Sequence, residues 1–348
     1  MNSTKIFLAA CLLLVACDGN PFLAEPDPVD PGTDPGTDPG TGIDSDRVLP
    51  PGTTSPTRES GIFRREPTEA DGGAVGDGYV GAVAYDSGTD TFTVDGLAFD
   101  GGNVYQRDDR VGQLGPFAVY EADSTYSDDV TGAPIAQFGH RAIYGVSTSG
   151  NTEFAIVRTG AYVPYGYGGF VYERDGEVVL PTSGQASYSG DYAGIRDFDG
   201  AGGLEYSEGD MTIAIDFNDF NEGAAVAGQV TNRAIFDVNG NDITDDVINA
   251  LNIDNESSLT ELPTLVFSVG PGSLDANGEM TGGLTSSVTN ADGAAVGFEE
   301  GNYYAVISGD ATQGGQDEVV GIIVVEATDP RYEGVTVRET GGFILYRE

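Results

Sequence analysis

"MTIAIDF", residues 211–217, decides the fold. Met211, Ile213, Ile215 and Phe217 alternate with Thr212, Ala214 and Asp216. A period of two sends successive side chains to opposite faces of a pleated strand, so one face is dry and the other wet. Working outward, the same texture recurs through the C-terminal half. Strands are expected at 185–195, 203–217, 224–236, 262–269, 279–287, 301–309, 318–327 and 334–346, separated by glycine- and asparagine-rich turns. The run 319–325 is almost wholly apolar, as a strand buried on both faces would be. Eight antiparallel strands can close on themselves, which removes exposed edges. A closed sheet of that size is filled by its own side chains. Residues 184–348 are therefore expected to form an eight-stranded antiparallel β-barrel. Only 245–251 reads as helix, with Thr244 as its N-cap.

Upstream, residues 73–180 read as a smaller β-rich domain, with strands at 79–85, 91–94, 118–121, 142–147, 153–158 and 169–173. "DGLAFDGGN" and "SGN" supply turns between them. The whole chain has 52 glycines, 17 tyrosines and 16 phenylalanines, a composition of turns joined by aromatic and β-branched strands. The expected fold class is all-β, with the barrel preceded by the smaller domain and a disordered N-terminal stalk.

The stalk and the segment before it place the protein. "LLLVACDGN", residues 12–20, ends an apolar run of about eleven residues that follows Lys5. Such a run is too short to span a bilayer, which needs roughly 20 residues, and reads as a signal segment, 1–16. Leu14-Val15-Ala16-Cys17 has the form of a bacterial lipobox, whose cysteine is acylated and becomes the first mature residue. Cys11 departs with the signal, leaving the mature chain without a disulfide or cysteine metal site. Lipidation at Cys17 would tether the protein to a bilayer. Asp18 leaves an inner-membrane location open beside the outer membrane. Residues 17–72 then read as a linker: three Asp-Pro-Gly-Thr repeats start at Asp30, Asp34 and Asp38, with few apolar residues to form a core. Extended at roughly 3.1 Å per residue it would reach on the order of 170 Å, and as a coil about 40 Å.

Charge excludes some partners. Acidic residues number 56 against 15 basic, a formal net charge of −41, and Lys5 is the sole lysine. Such a surface repels nucleic acid and anionic headgroups; it suits a salty medium or cationic partners. Acidic side chains inside the strand candidates (Glu205, Glu208, Asp216, Glu326) also argue against a membrane-spanning barrel, whose outer band is apolar.

The chemistry-bearing candidates are few. His140 is the only histidine, so a Ser-His-Asp device would need it. It precedes a strand and reads as a packed or strand-end residue. With one histidine, zinc and copper sites are not expected. Gly76-Asp77-Gly78-Tyr79-Val80-Gly81 matches a dinucleotide-binding spacing but lacks the strand before and helix after that such a loop needs. Asp237, Asn239, Asn241 and Asp245 resemble half of a calcium loop, but Ile248 stands where the bidentate glutamate should be; Ca2+ is the one cofactor they could hold. "YVPYGYGGFVY", residues 162–172, offers Tyr162, Tyr165, Tyr167 and Tyr172 as a binding face, or as rings packed against the barrel. Paired carboxylates are too abundant here to mark general acid–base chemistry.

The C-terminal strands resemble a known family. "GQASYSGDYAGI", 184–195, is similar to the opening barrel strand of transferrin-binding protein B and factor H-binding-protein-like lipoproteins, through Gly184, Ala186, Tyr188 and Gly190. Residues 211–230, 273–285 and 301–327 are similar to later hairpins, and Gly342-Phe343 in "TGGFILYRE" to the closing strand. The resemblance spans about 184–348. It implies a lipid-anchored, non-enzymatic binding protein of the bacterial envelope, monomeric, with an unidentified protein or solute as ligand. No family ligand residue maps onto this chain, and the acidic, nearly lysine-free composition departs from the family. A structural envelope lipoprotein without a ligand is the alternative.

Overall fold

The computed structural model describes residues 49–53, 56–97, 100, 102–128, 130–161, 165–217, 225–270 and 272–348. The signal segment, Cys17, the Asp-Pro-Gly-Thr repeats and Tyr162 lie outside the described residues.

Twelve short strands precede the barrel: β1 (Ile62–Arg65), β2 (Ala82–Asp86), β3 (Thr91–Asp95), β4 (Val104–Arg107), β5 (Gln113–Leu114), β6 (Phe117–Ala122), β7 (Thr125–Ser127), β8 (Pro134–Ala136), β9 (His140–Val146), β10 (Thr152–Thr159), β11 (Gly168–Arg174) and β12 (Val178–Val179). Most form one antiparallel sheet in the order β1-β11-β10-β9-β6-β4-β3-β2, with β5 beside β6. Strand β1 falls inside the stretch read as linker. Its "IFRR" has too few apolar residues to announce a strand. It forms because β11 offers an edge, placing Phe63 opposite Glu173, and because Ile62 is buried there.

The barrel strands are β13 (Gln185–Asp199), β14 (Leu204–Asp216), β15 (Ala225–Asp237), β16 (Leu265–Phe267), β17 (Glu279–Thr289), β18 (Ala295–Asp310), β19 (Asp317–Thr328) and β20 (Thr336–Arg347). Each pairs antiparallel with the next, and β20 returns to β13 with Phe343 opposite Tyr192. The sheet is closed, as expected. The helix α1 (Thr244–Asn255) lies between β15 and β16. Its start differs from expectation: Thr244 is not the N-cap, because its hydroxyl accepts from Ile235 N–H, and Asp242 Oδ1 accepts from Thr244 N–H instead. Strand β16 is shorter than the expected 262–269. Leu262 is drawn into the cluster under α1 with Ile235, Val247, Ile248, Leu251 and Val288.

Side-chain alternation places the core. Met211, Ile213 and Ile215 point into the barrel with Tyr188, Val226, Phe267, Leu284, Ile323 and Leu345. Thr212 and Ala214 face out and are exposed. The sheet then packs over one side of the barrel's outer wall. Ile62, Phe117, Ile143, Phe154, Ile156 and Phe170 meet Ile195, Tyr304, Val306, Val320, Ile322 and Ile344 in one continuous cluster. This explains the apolar run in β19: Val319, Ile323 and Val325 face the lumen, while Val320 and Ile322 face the sheet. Burying each such side chain is worth roughly 1.5–3 kcal/mol, so the interface is part of the fold's stability. Where the wall is bare it is largely polar, with Thr212, Gln229, Thr285, Ser287 and Thr289 exposed beside Ala214 and Val266.

Two adjacent glycines on β20 admit this packing. A Cβ on Gly341 would lie 2.1 Å from the Tyr192 ring inside the barrel, and one on Gly342 would lie 2.1 Å from the Phe154 ring outside it. The glycine pair thus receives one aromatic ring on each face of the wall.

Candidate binding surface

The lumen is full. Its apolar part is packed around Phe267 stacked on Tyr303, centroids 3.9 Å apart. Its other part is ionic. Arg233 donates to both Glu299 oxygens at 2.8 and 2.7 Å and to Glu339 at 3.1 Å. Arg196 donates to Glu205 at 2.5 Å and lies 3.4 Å from Glu339, which also accepts from the Tyr192 hydroxyl at 2.7 Å. Burial pushes the Glu339 carboxyl up, but the Arg233 and Arg196 guanidiniums outweigh it and hold its pKa below the ordinary value. A ligand for this protein would therefore have to meet its outside. One shallow surface groove, about 360 Å³, runs over Ser187, Thr212, Ala227, Gln229 and Val266 and gathers no set of convergent polar groups.

A second ionic cluster joins sheet to barrel. Arg158 on β10 makes a two-pronged contact with Glu66 at 2.9 and 2.6 Å and reaches Thr340 at 2.9 Å. Arg338 on β20 binds Asp77 at 2.7 Å and Asp197 at 2.9 Å. Burial and the charge of Glu66 push the Asp77 carboxyl up to about 6, against the pull of Arg338. The Gly76–Gly81 loop is thus a structural anchor. Gly76 and Gly78 have φ of 98° and 73°, its aspartate is buried in ion pairs, and a strand follows it.

This anchor positions the tyrosines. Gly168 N–H donates to Gly76 C=O at 3.0 Å, and Tyr79 N–H donates to Gly168 C=O at 3.0 Å, which ties the Gly76–Gly81 loop to the start of β11. The Tyr165 ring covers the Arg338 guanidinium, 4.4 Å from centroid to Cζ. Tyr167 stands edge-on to Tyr79, centroids 5.1 Å apart at 87°. The two are 39% and 46% exposed. Tyr172, in contrast, is fully buried between sheet and barrel and contributes nothing to a surface. Of the four expected tyrosines, then, Tyr167 is presented, Tyr165 is engaged internally and Tyr172 is core. Tyr79 joins them only through the fold, since nothing in its local sequence connects it to a segment almost ninety positions on.

The other candidates are accounted for by structure. His140 is buried at the start of β9, its Nδ1 3.3 Å from the Phe138 carbonyl, and burial pushes its imidazole down to about 4. Asp237 already receives hydrogen bonds from Asn239 N–H, Asn241 N–H and the Asn241 side-chain amide at 2.8, 2.9 and 2.8 Å. Its carboxylate closes the β15–α1 loop, and Asp245 sits in the first turn of α1. Among the described residues no group of three or more metal-ligating side chains comes together. No helix among them is long and apolar enough to cross a membrane.

Solved structures of transferrin-binding protein B match the chain loosely. A single-site mutant from Haemophilus parasuis Hp5 shares 11% identity and a TM-score of 0.34 over 83% of this chain and 51% of its own. Intact Ap-TbpB, with N and C lobes, gives 11% and 0.34 over 83% and 53%. The chain therefore spans about half the length of the transferrin-binding protein B structures it matches. No family model matches the chain, and no curated protein does. The closed barrel itself stands on this chain's own strand register.

Proposed function

We propose that this is a lipid-anchored envelope protein that binds a partner on the outer face of its β-body and performs no catalysis. The observation that carries the reading is an order along the chain: a Leu-Val-Ala-Cys motif at 14–17, then proline–glycine repeats, then a rigid double-sheet body with exposed tyrosines. A lipidated Cys17 would hold the protein at a bilayer, the repeats at 30–41 would act as a spacer, and the body would meet the partner. The family resemblance of the barrel strands supports the same reading and favours the outer membrane. The lumen is filled and ionic, so we favour a protein over a small solute as ligand, approached by a single copy of the chain.

The test combines intact mass of the native protein with capture from envelope and surrounding medium. A diacylglyceryl-modified Cys17 and one saturable partner are expected. An unmodified thiol on a freely diffusing chain would remove the anchor. A modified chain with no partner, and an envelope defect on deletion, would favour the purely structural alternative.

A further inference from the structure

Thirteen arginines lie among the described residues, and the fold uses them internally. Eleven form ion pairs with carboxylates of the same chain. The other two, Arg58 and Arg174, donate to main-chain carbonyls. Arg65, Arg107 and Arg110 have partly exposed side chains, and each is paired, with Asp71 at 3.5 Å, Asp90 at 2.9 Å and Glu121 at 2.8 Å. With no lysine beyond Lys5, the described surface has cationic groups only where they are already engaged, under a net charge of −41.

The same molecule shows how its tyrosines take a guanidinium. Arg338 lies 4.4 Å from the Tyr165 centroid, Arg107 4.8 Å from Tyr120 and Arg331 5.3 Å from Tyr332. Two residues beyond Tyr165, the half-exposed Tyr79–Tyr167 pair sits on a backbone fixed by the Gly76 and Gly168 hydrogen bonds. Carboxylates lie nearby: Glu326, Asp197 and Asp199 act on the hydroxyl of neighbouring Tyr165, against the opposing charge of Arg338. Asp95 is exposed, and its carbonyl accepts from Gly81 N–H at 2.8 Å. A cation is attracted to an aromatic face by the ring quadrupole, and negative charge nearby adds to that attraction.

From this arrangement we infer that the Tyr79–Tyr167 pair is the docking point for a guanidinium-bearing, basic segment of a protein partner. The inference rests on the binding-protein reading and adds the partner's chemistry. The partner supplies the arginine that this chain does not leave free, and the tyrosine pair holds it while the acidic surroundings draw it in. Arginine is preferred to lysine because its planar, weakly hydrated head stacks on a ring.

The test uses the full-length chain in detergent and a labelled arginine–glycine repeat peptide, with lysine and neutral citrulline versions beside it. Arginine peptide should bind tightest and citrulline peptide weakest. Tyr79→Ala/Tyr167→Ala should weaken arginine-peptide binding about tenfold, consistent with two cation–π contacts, while Tyr79→Phe/Tyr167→Phe should keep most of it. The chain contains no tryptophan, so Tyr167→Trp installs a single reporter with a better cation-binding face. Its emission should change saturably with peptide, at equal or higher affinity, even if the double alanine variant fails to fold. Unchanged affinity in a folded alanine variant, or an indole emission that stays constant while peptide binds, would overturn the inference and leave binding to diffuse charge. Either result leaves the envelope-capture experiment untouched, so failure here is separable from failure of the binding reading.

Discussion

Replacing Gly342 by alanine should lower stability by forcing a methyl into the Phe154 ring. The added Cβ would lie 2.1, 2.3 and 2.6 Å from three atoms of the Phe154 ring, well inside contact distance. The ring cannot retreat. It is fully buried, packs edge-on to Phe117 with centroids 4.9 Å apart, and sits on its far side over Gly145, where a Cβ would lie 2.5 Å away. Overpacking of this kind costs about 1–3 kcal/mol, and a ring boxed by two glycines belongs at the upper end. At the usual unfolding entropy per residue, about 3 kcal/mol lowers the melting temperature of a body of this size by about 5 °C. Phe154→Ala alone should cost about 3–5 kcal/mol by leaving a cavity. In the double variant the new methyl enters the space the ring vacated, so the two losses should fall short of additive by about 2 kcal/mol. Calorimetry or denaturant melts of the four proteins measure this. Full additivity, or a Gly342→Ala variant as stable as the parent, would show that β20 is not gripped between sheet and lumen in this way.

Three further outcomes follow from the chain's charged and titratable groups. The single histidine gives one imidazole signal by NMR, and it should titrate near 4. Because its folded pKa lies below the usual value near 6.5, the unfolded chain binds the proton first. His140 therefore supports stability above about pH 6.5 and loses up to about 3 kcal/mol of it as pH falls toward 4; a midpoint near 6.5 would contradict its burial. Arg338→Met should destabilise by about 3–5 kcal/mol by chemical denaturation, since it strands Asp77 and Asp197 in the interface, and adding Asp77→Asn should recover part of the loss. Finally, the melting temperature should rise as sodium chloride is raised from low concentration, because screening relieves the repulsion of a chain at −41; a flat salt response would refute that account of its surface.

The barrel was legible because each of its long strands carries its own signal. The alternation in β14 and the doubly buried run in β19 are local patterns with one physical meaning. The short elements were not. "IFRR" and "VYQR" have no periodicity; β1 exists because β11 offers a partner far along the chain, and β4 because β3 and β6 flank it. Sequence showed a tyrosine cluster at 162–172 but not which rings would be core. The β11 register turns Tyr172 inward, and Arg338, more than 160 positions away, claims Tyr165. The Tyr79–Tyr167 pair was invisible for the same reason, since a hydrogen-bonded loop tie joins two segments whose own texts are merely glycine-rich.

Keeping the guanidiniums inside has a practical result for how this molecule withstands digestion. Trypsin cuts after arginine or lysine and needs several residues around the bond to unfold into its cleft. In the described body most of those bonds lie in strands, ion-pair clusters or the sheet–barrel seam, and the more exposed side chains of Arg65, Arg107 and Arg110 are held in ion pairs. The folded body should resist trypsin at concentrations that degrade proteins of ordinary lysine content. Surface shaving of cells with that enzyme would then leave the body intact even where it faces the medium, and a protease of broad specificity is the one to use.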